Sequence, residues 1–404
     1  MSFAQTFLRS NQPGRHAAEV LPMVAAQAEA ADRTRTIAPE TITALKSSGL
    51  MVLSASKELG GLEESVSVIA GELESLAAAC ASTAWCLWNH LCVFHLFCGA
   101  LGPAHIDFLS GIAARHEWVC FPAGAGSSLH ARVDSEQVIL DGVTSFGSGS
   151  RYAEWAGCAF LIPDPATGRA GSPPDLRFSV VDLRDHGVKI EPTWDGSGLR
   201  ASSTDDVRYE NVAVPLSRCA PWWAADRAGK LRDPDYDVIN HRYREDWVGL
   251  SDLWLAAMAV GIAQAALQET VEEVVGRKAI MGRPMTQYAG VHFNLGRAAT
   301  AVLAAKAAYA SGCAEVDERI EAGGIPTEGD YVRQMAISVH ALSSCELAMG
   351  HLAKVLGGNG LRESHIFERR QRDFRAMPVH INAHEDRVSE RLGRLLLGVE
   401  PALF

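Results

Sequence analysis

The residues of this 404-residue chain best suited to chemistry gather towards its C-terminus. Gly357-Gly358-Asn359-Gly360 is followed by the basic run Phe367-Glu368-Arg369-Arg370-Gln371-Arg372-Asp373, then by Pro378-Val379-His380-Ile381-Asn382-Ala383. Glycines reach positive φ and let a phosphate approach the backbone. Lys278 and Lys354 are cationic donors suited to the same group. His380 can give or take a proton near neutral pH, since an unperturbed imidazole titrates near 6.5. His384 would share a face with it if the segment were helical. His90 is a second candidate, set in a very apolar stretch.

Composition narrows the field. Apolar residues make up 48% and charged residues 21%, as in an ordinary globular protein. The net charge of −11, without a Lys/Arg run, argues against nucleic acid and against an anionic membrane surface. No unbroken apolar run reaches the roughly 18 residues expected of a membrane span. Met1 to Arg15 has no apolar core after a basic start, so a cytoplasmic location is expected. The nine cysteines form no Cys-x-x-Cys pair, so no zinc or dithiol site is expected. Cys80, Cys86, Cys92 and Cys98 read as small buried hydrophobes.

These residues need elements to hold them. Residues 15–31 have helical spacing, and Thr36-Ile37-Ala38-Pro39-Glu40 reads as a helix start, closed by Gly49. Ser65 to about Ala100 is apolar or small nearly all round, which predicts a buried helix or helix pair. Strand-like runs begin at Trp118-Val119-Cys120-Phe121 and recur at 138–140, 159–162, 178–181, 207–209 and 212–214. Turn residues separate them, predicting an antiparallel barrel or sandwich. Ser148-Gly149 reads as a turn there. Residues 221–247 carry five aromatics among charges and read as a loop or lid. Helices resume at Leu250 and break at Gly276, Gly323-Gly324 and Gly357-Gly358. The expected fold is α+β in three parts: an N-terminal helical domain (1–117), a central β-domain (118–220), and a C-terminal helical bundle with its preceding loop (221–404).

This order of segments resembles the acyl-CoA dehydrogenase superfamily. Leu356-Gly357-Gly358-Asn359-Gly360 followed by Arg372-Asp373 is similar to that superfamily's glycine turn and Arg-Asp helix end. Lys278-Ala279-Ile280-Met281-Gly282-Arg283-Pro284 resembles its Arg-x-x-Phe-Gly-x-Pro segment, with Lys and Met replacing Arg and Phe. Leu199 to Thr204 with Val212 to Pro215 looks like its last β-segment. The resemblance implies a central antiparallel β-barrel and a C-terminal four-helix bundle that pairs subunits, giving a homotetramer (a dimer of dimers) or at least a dimer.

The superfamily holds two chemistries. Its dehydrogenases take an α-proton with a carboxylate base, and counting on from Arg372 places Ile381 in that position, which cannot accept a proton. A minority carry the base elsewhere, near Ser251, which leaves Asp252 as an alternative. The match is closer to the flavin-dependent monooxygenases of the fold, the oxygenase components of two-component aromatic and steroid-phenol hydroxylases and the dibenzothiophene-type enzymes. Val379-His380, Ser82-Thr83-Ala84-Trp85, and Asp141-Gly142 through Phe146-Gly147-Ser148-Gly149 to Ala153-Glu154-Trp155 resemble segments of that branch. Thr144 and Phe146 replace two Trp, and Gly147 replaces a Ser.

The resemblance implies reduced FMN or FAD from a separate NAD(P)H-flavin reductase, O2, a C4a-hydroperoxide, and oxygen transfer to a small aromatic or cyclic substrate. It gives His380 and His90 catalytic roles, His380 as a base for a phenolic proton or as a donor to the hydroperoxide. It places Ser148, Gly149 and Phe146 against the flavin ring, and Lys278, Lys354, Gly357 and Gly358 at its phosphate or adenosine end. It places Phe121 and His384 near substrate. Arg372 and Asp373 are expected to form a structural ion pair at a helix end. A non-catalytic scaffold on the same fold stays open, and no residues mark a coenzyme A site.

Overall fold

The computed structural model describes residues 14–123, 128–163, 171, 175–222 and 230–399. Helices open the chain: α1 (Leu21–Thr34), α2 (Pro39–Ser47), α3 (Val66–Ala79), α4 (Ala81–Leu101) and α5 (Ile106–Ala114). Pro39 sits in the first turn of α2, where its missing N–H removes no helical bond, but the cap is Ala38 rather than Thr36. Ser65 caps α3 by accepting from the Val68 N–H at 3.1 Å.

Among the described residues eight strands follow: β1 (Val119–Cys120), β2 (Ser128–Asp134), β3 (Gln137–Gly147), β4 (Trp155–Ile162), β5 (Asp175–Asp182), β6 (Val188–Glu191), β7 (Asp205–Pro215) and β8 (Ala220–Pro221). They form one sheet in the order β6-β7-β3-β2-β4-β5-β8, with β1 beside β4. Of the run at 118–121 only Val119 and Cys120 form a strand; the other strand-like runs lie within these strands, and 207–209 and 212–214 join into β7 across an irregularity in its register with β3. The sheet is not wholly antiparallel, because β4 runs parallel to β1 and β2. Its inward residues, among them Val138, Leu140, Phe160, Val181, Val207 and Val214, make a core of their own.

The last part is α6 (Trp247–Gly276), α7 (Ala289–Glu321), α8 (Glu328–Leu356), α9 (Ile366–Arg375) and α10 (Glu385–Leu396). Thr327 and Asp330 start α8 with a reciprocal capping box. Both α4 and α6 are long and apolar enough to cross a membrane, although no unbroken apolar run announces it; both are mostly buried inside the fold. One continuous apolar core joins the N-terminal helices to the C-terminal bundle through residues such as Leu73, Trp88, Trp254, Ile262 and Leu352. The cysteines are free, and all but the half-buried Cys219 are buried.

Candidate active site

The site is built on one face of α4. Trp85, Trp88, Asn89 and Cys92 follow helical i, i+3, i+4, i+7 spacing and line a cavity of about 500 Å³. The sheet and the segment before β7 supply Phe146, Ser148, Trp194, Leu199 and Thr204. Phe121 and Ala123 follow β1, Trp247 and Ser251 come from α6, and Val379, His380, Ile381 and His384 come from the link between α9 and α10.

The two indoles of α4 are fixed in different directions. The Trp85 Nε1–H donates to Ser148 Oγ at 2.9 Å, and Ser148 Oγ lies 3.1 Å from Thr204 Oγ1, itself 2.6 Å from Ser202 Oγ. The Trp88 Nε1–H donates instead to the Ser251 carbonyl at 2.9 Å. Trp85 therefore points to the sheet side, and Trp88, one turn on, points to α6. His380 stands at the junction, edge-on to both rings, with centroids 5.6 Å from Trp85 and 5.3 Å from Trp88.

Consecutive turns place His380. Met377 N–H donates to Phe374 O, His380 N–H to Met377 O and Ala383 N–H to His380 O. The buried side chains of Phe374, Met377 and Ala383 anchor this link while Ile381 stays 58% exposed at the cavity edge. Burial against the indoles pushes the His380 imidazole down to about 4, with His384 adding to the effect, so it is neutral at physiological pH. His384 accepts no helical neighbour's role: it precedes α10, and its Nε2 lies 3.0 Å from Val379 O.

Arg372 and Asp373 do not pair with each other. Arg372 holds Asp32 at 3.0 and 3.1 Å, Glu368 at 2.7 Å and the Ser197 carbonyl at 2.8 Å. Asp373 Oδ1 accepts the Leu199 N–H at 2.7 Å. These bonds tie α9 to the segment carrying Leu199 and Thr204, so the helix that leads into His380 also sets the opposite cavity wall. Burial pushes the Asp373 carboxyl up to about 6, against the opposing effect of the Leu199 N–H.

His380, His384, Phe121, Phe146 and Ser148 thus meet around one cavity. Phe146 has φ +62° and is 53% exposed, a strained backbone that presents its ring at the rim. Other candidates lie elsewhere. His90 is buried with Nε2 2.8 Å from the Met51 carbonyl and Nδ1 accepting the Val119 N–H at 3.0 Å. Both ring nitrogens serve the backbone, which corrects its expected catalytic role. Gly149 donates its N–H to Ser202 O at 2.8 Å and turns towards Trp118 and Cys86, so it offers no donor to the cavity.

Lys278, Lys354, Gly357 and Gly358 are exposed and outside the cavity lining. Arg277 Nη1 donates to the Leu356 carbonyl at 3.3 Å, so the Lys278 loop and the glycine turn meet at one end of the bundle. Gly357, at φ +60° and ψ −148°, holds a conformation open essentially to glycine alone. Asp252 does not line the cavity; it is fully buried, and burial keeps its carboxyl protonated well above the usual range. Gly124, which adjoins Ala123, lies outside the described residues.

Trp85, Trp88, Asn89, Trp194, Thr204 and Trp247 were not singled out from sequence as cavity residues. The helical stripe at 85, 88, 89 and 92 was the available signal. These residues fit a flavin ring: flat aromatic and aliphatic walls suit its faces, and the Ser148–Thr204 hydroxyl row suits a polar edge. Among the described residues no cluster of His, Cys, Asp and Glu is able to hold a metal ion.

Residues 253–385 match the family described as acyl-CoA dehydrogenase, C-terminal domain. The chain is 26% identical to a pigment production hydroxylase of Rhodococcus sp. over 94% of both chains. It is 25% identical to the oxygenase component of p-hydroxyphenylacetate 3-hydroxylase of Acinetobacter baumannii, covering 95% of this chain and 88% of that one. Its fold matches that of XiaF from Streptomyces sp., solved in complex with FADH2 and glycerol, with a TM-score of 0.86 at 21% identity over 96% and 95% of the two chains. The C-terminal part of the chain thus matches the acyl-CoA dehydrogenase C-terminal domain, and nearly the whole chain is similar to hydroxylase oxygenase components and shares the fold of XiaF.

Proposed function

We propose that the chain is the oxygenase component of a two-component flavin-dependent monooxygenase that oxygenates a small aromatic or cyclic substrate. The observation that carries this reading is the pairing of Ile381 with His380 at the cavity: an alkyl group stands in the place of a dehydrogenase base, beside a neutral imidazole caged by two indoles. Reduced flavin, when bound, supplies the two electrons that activate O2, so that one oxygen atom enters substrate and the other leaves as water.

The chain's own residues divide the work. Ser148 and Thr204 hold the polar edge of the flavin ring, while Trp194, Phe146 and Leu199 cover it and exclude water. His380 supplies hydrogen bonding at the reacting oxygen. A phenolic proton has a pKa near 10, and moving it to an imidazole near 4 is uphill by roughly six units, on the order of 8 kcal/mol. The depressed value therefore favours His380 as a neutral hydrogen-bonding group over His380 as the base.

Reduced FMN or FAD comes from a separate NAD(P)H-flavin reductase in the cytoplasm. The chain works as a homotetramer in which Lys278, Lys354, Gly357 and Gly358 meet the phosphate-bearing tail of a flavin across a subunit contact. Two observations support that arrangement: these four residues are remote from their own cavity, and α7 and α8 expose the apolar side chains of Phe293, Leu303 and Leu347.

Anaerobic titration with dithionite-reduced and with oxidised FMN and FAD tests the reading. Reduced flavin is expected to bind more tightly than oxidised flavin. Bleaching of bound oxidised flavin by an acyl-CoA thioester would replace this function with dehydrogenation.

A further inference from the structure

The cavity wall that carries Phe146, Leu199 and Thr204 is strained. Phe146, Leu199 and Ser203 hold φ at +62°, +49° and +48°, a left-handed backbone that residues with side chains rarely adopt. Such a conformation persists only where the surroundings fix it from several sides, and it clusters where geometry serves function. Here the turn 199–204 is held at several backbone groups. Leu199 N–H donates to Asp373 Oδ1 at 2.7 Å and Ala201 N–H to Ser82 Oγ at 3.3 Å. Ser202 O accepts the Gly149 N–H at 2.8 Å, and Ser203 O accepts the Ser150 N–H at 3.3 Å and the Ser150 hydroxyl at 3.1 Å.

One carboxylate joins this turn to the neighbouring aromatic wall. Asp205 is fully buried and does not line the cavity. Its Oδ2 accepts from Arg151 Nε at 2.7 Å and from Ser203 Oγ at 2.8 Å. Its Oδ1 accepts from Arg151 Nη2 at 3.2 Å and from the Trp194 backbone N–H at 2.9 Å. Two of these four donors place groups that line the cavity: Trp194 directly, and Thr204 because it lies between Ser203 and Asp205. Trp194 is held at its ring as well. Its Nε1–H donates to Leu199 O at 2.9 Å, and a Cβ on Gly196 would come within 2.2 Å of the indole. The Asp205 carboxylate therefore sets the spacing between an aromatic cover, Trp194, and the hydroxyl row of Ser148, Thr204 and Ser202.

We propose that Asp205 is a positioning residue for the flavin, acting through Trp194 and Thr204 and fixing the distance between the indole that covers the ring and the hydroxyls that meet its polar edge. This deepens the proposed oxygenase reading and rests on it for the placing of the flavin against this wall.

Anaerobic calorimetric titration of the full chain with dithionite-reduced FMN and FAD tests it. Asp205→Asn keeps the shape but leaves Arg151, Ser203 or Trp194 short of an acceptor, and is expected to weaken reduced-flavin binding about tenfold. Ser203→Gly, in which glycine takes the φ of +48° freely, cuts the hydroxyl tie and is expected to weaken binding about threefold. Neither Asp205 nor Ser203 lines the cavity, so these losses pass through the wall. In a Trp194→Ala, Thr204→Val background, Asp205→Asn is expected to add less than about twofold, because the groups it positions are gone. Urea unfolding checks that each variant is folded; a merely structural tie would lower stability and leave the affinity of the folded protein as in wild type. Wild-type affinity in folded Asp205→Asn and Ser203→Gly, or an equal loss in the background without the indole and the hydroxyl, overturns the assignment. If Asp205→Asn does not fold, Ser203→Gly decides. Wild-type protein that binds no reduced flavin overturns the oxygenase reading and the assignment together, whereas tight wild-type binding with unchanged variants overturns the assignment alone.

Discussion

Replacing His380 tests the part of the site that does most in this account. The ring sits edge-on to Trp85 and Trp88 at 5.6 and 5.3 Å, and burial lowers its pKa to about 4. His380→Ala removes a hydrogen-bonding group from the reacting centre and is expected to lower the rate of product formation by about 10²–10⁴-fold. His380→Gln keeps a polar group at similar reach and should recover part of the loss. The pH profile is the sharper measurement. At pH 5 an imidazole with a pKa of about 4 is roughly nine-tenths neutral, whereas one at 6.5 is roughly 3% neutral. Activity that needs the neutral ring should therefore hold down to about pH 5 and fall only as pH drops through about 4. The assay follows product formed per reduced flavin supplied, with 2-naphthol or indole as substrate, over the pH range in which the fold persists. A wild-type acid limb near 6.5 that vanishes in His380→Ala would refute the buried neutral imidazole. Full product yield from His380→Ala would refute its role altogether.

Asp252→Ala should stabilise the protein at pH 7 by about 1–3 kcal/mol, because both carboxyl oxygens are buried without partners. Its raised folded pKa means the native carboxyl's cost grows as pH rises above the unfolded value near 3.8, so the gain should shrink towards pH 4; urea unfolding that shows a loss at pH 7 would contradict this. His90 and His95 are both lowered to about 4 by burial. Their contribution is complete above about 6.5 and is lost as pH falls towards 4, by up to about 3 kcal/mol each, which urea unfolding at pH 7, 5.5 and 4.5 should show as a steady decline. Arg372→Ala cuts the ties to Asp32, Glu368 and Ser197 and should destabilise the fold by about 2–4 kcal/mol; Asp373→Asn, which keeps an acceptor for the Leu199 N–H, should cost less.

Much of this architecture was legible because local pattern and burial agree. Apart from the ends of the run at 118–121, the strand-like runs fall within strands whose apolar residues fill the sheet core. β2 was missed although Leu129, Ala131 and Val133 alternate with polar residues along Ser128–Asp134; the strand is mostly exposed, and only Leu129 and Ala131 pack against the sheet core. In α4 the opposite obscures the face. Nearly every residue is buried, and only the cavity distinguishes the stripe at 85, 88, 89 and 92 from the rest. The position of His380 at the cavity was readable from its place after Arg372-Asp373. His90 was misread because its partners, Met51 and Val119, are distant in sequence and only the fold brings their backbone groups to the ring. Gly149 was misread for a similar reason: a turn glycine's N–H looks free until Ser202 is seen to take it. Trp247 was read as part of a loop or lid, but it opens α6, and its ring packs edge to face against Phe121 in the cavity wall.

The central claim is that this chain passes oxygen from O2 to a ring substrate using flavin reduced elsewhere. Purified protein, chemically reduced FMN or FAD, ¹⁸O2 and 2-naphthol or indole, with no reductase and no NAD(P)H present, test it most directly by mass spectrometry of the product. The account predicts one ¹⁸O atom per product molecule and none when the label is in water. Label arriving from water, or flavin reoxidised to hydrogen peroxide with no oxygenated product from either substrate, would contradict it.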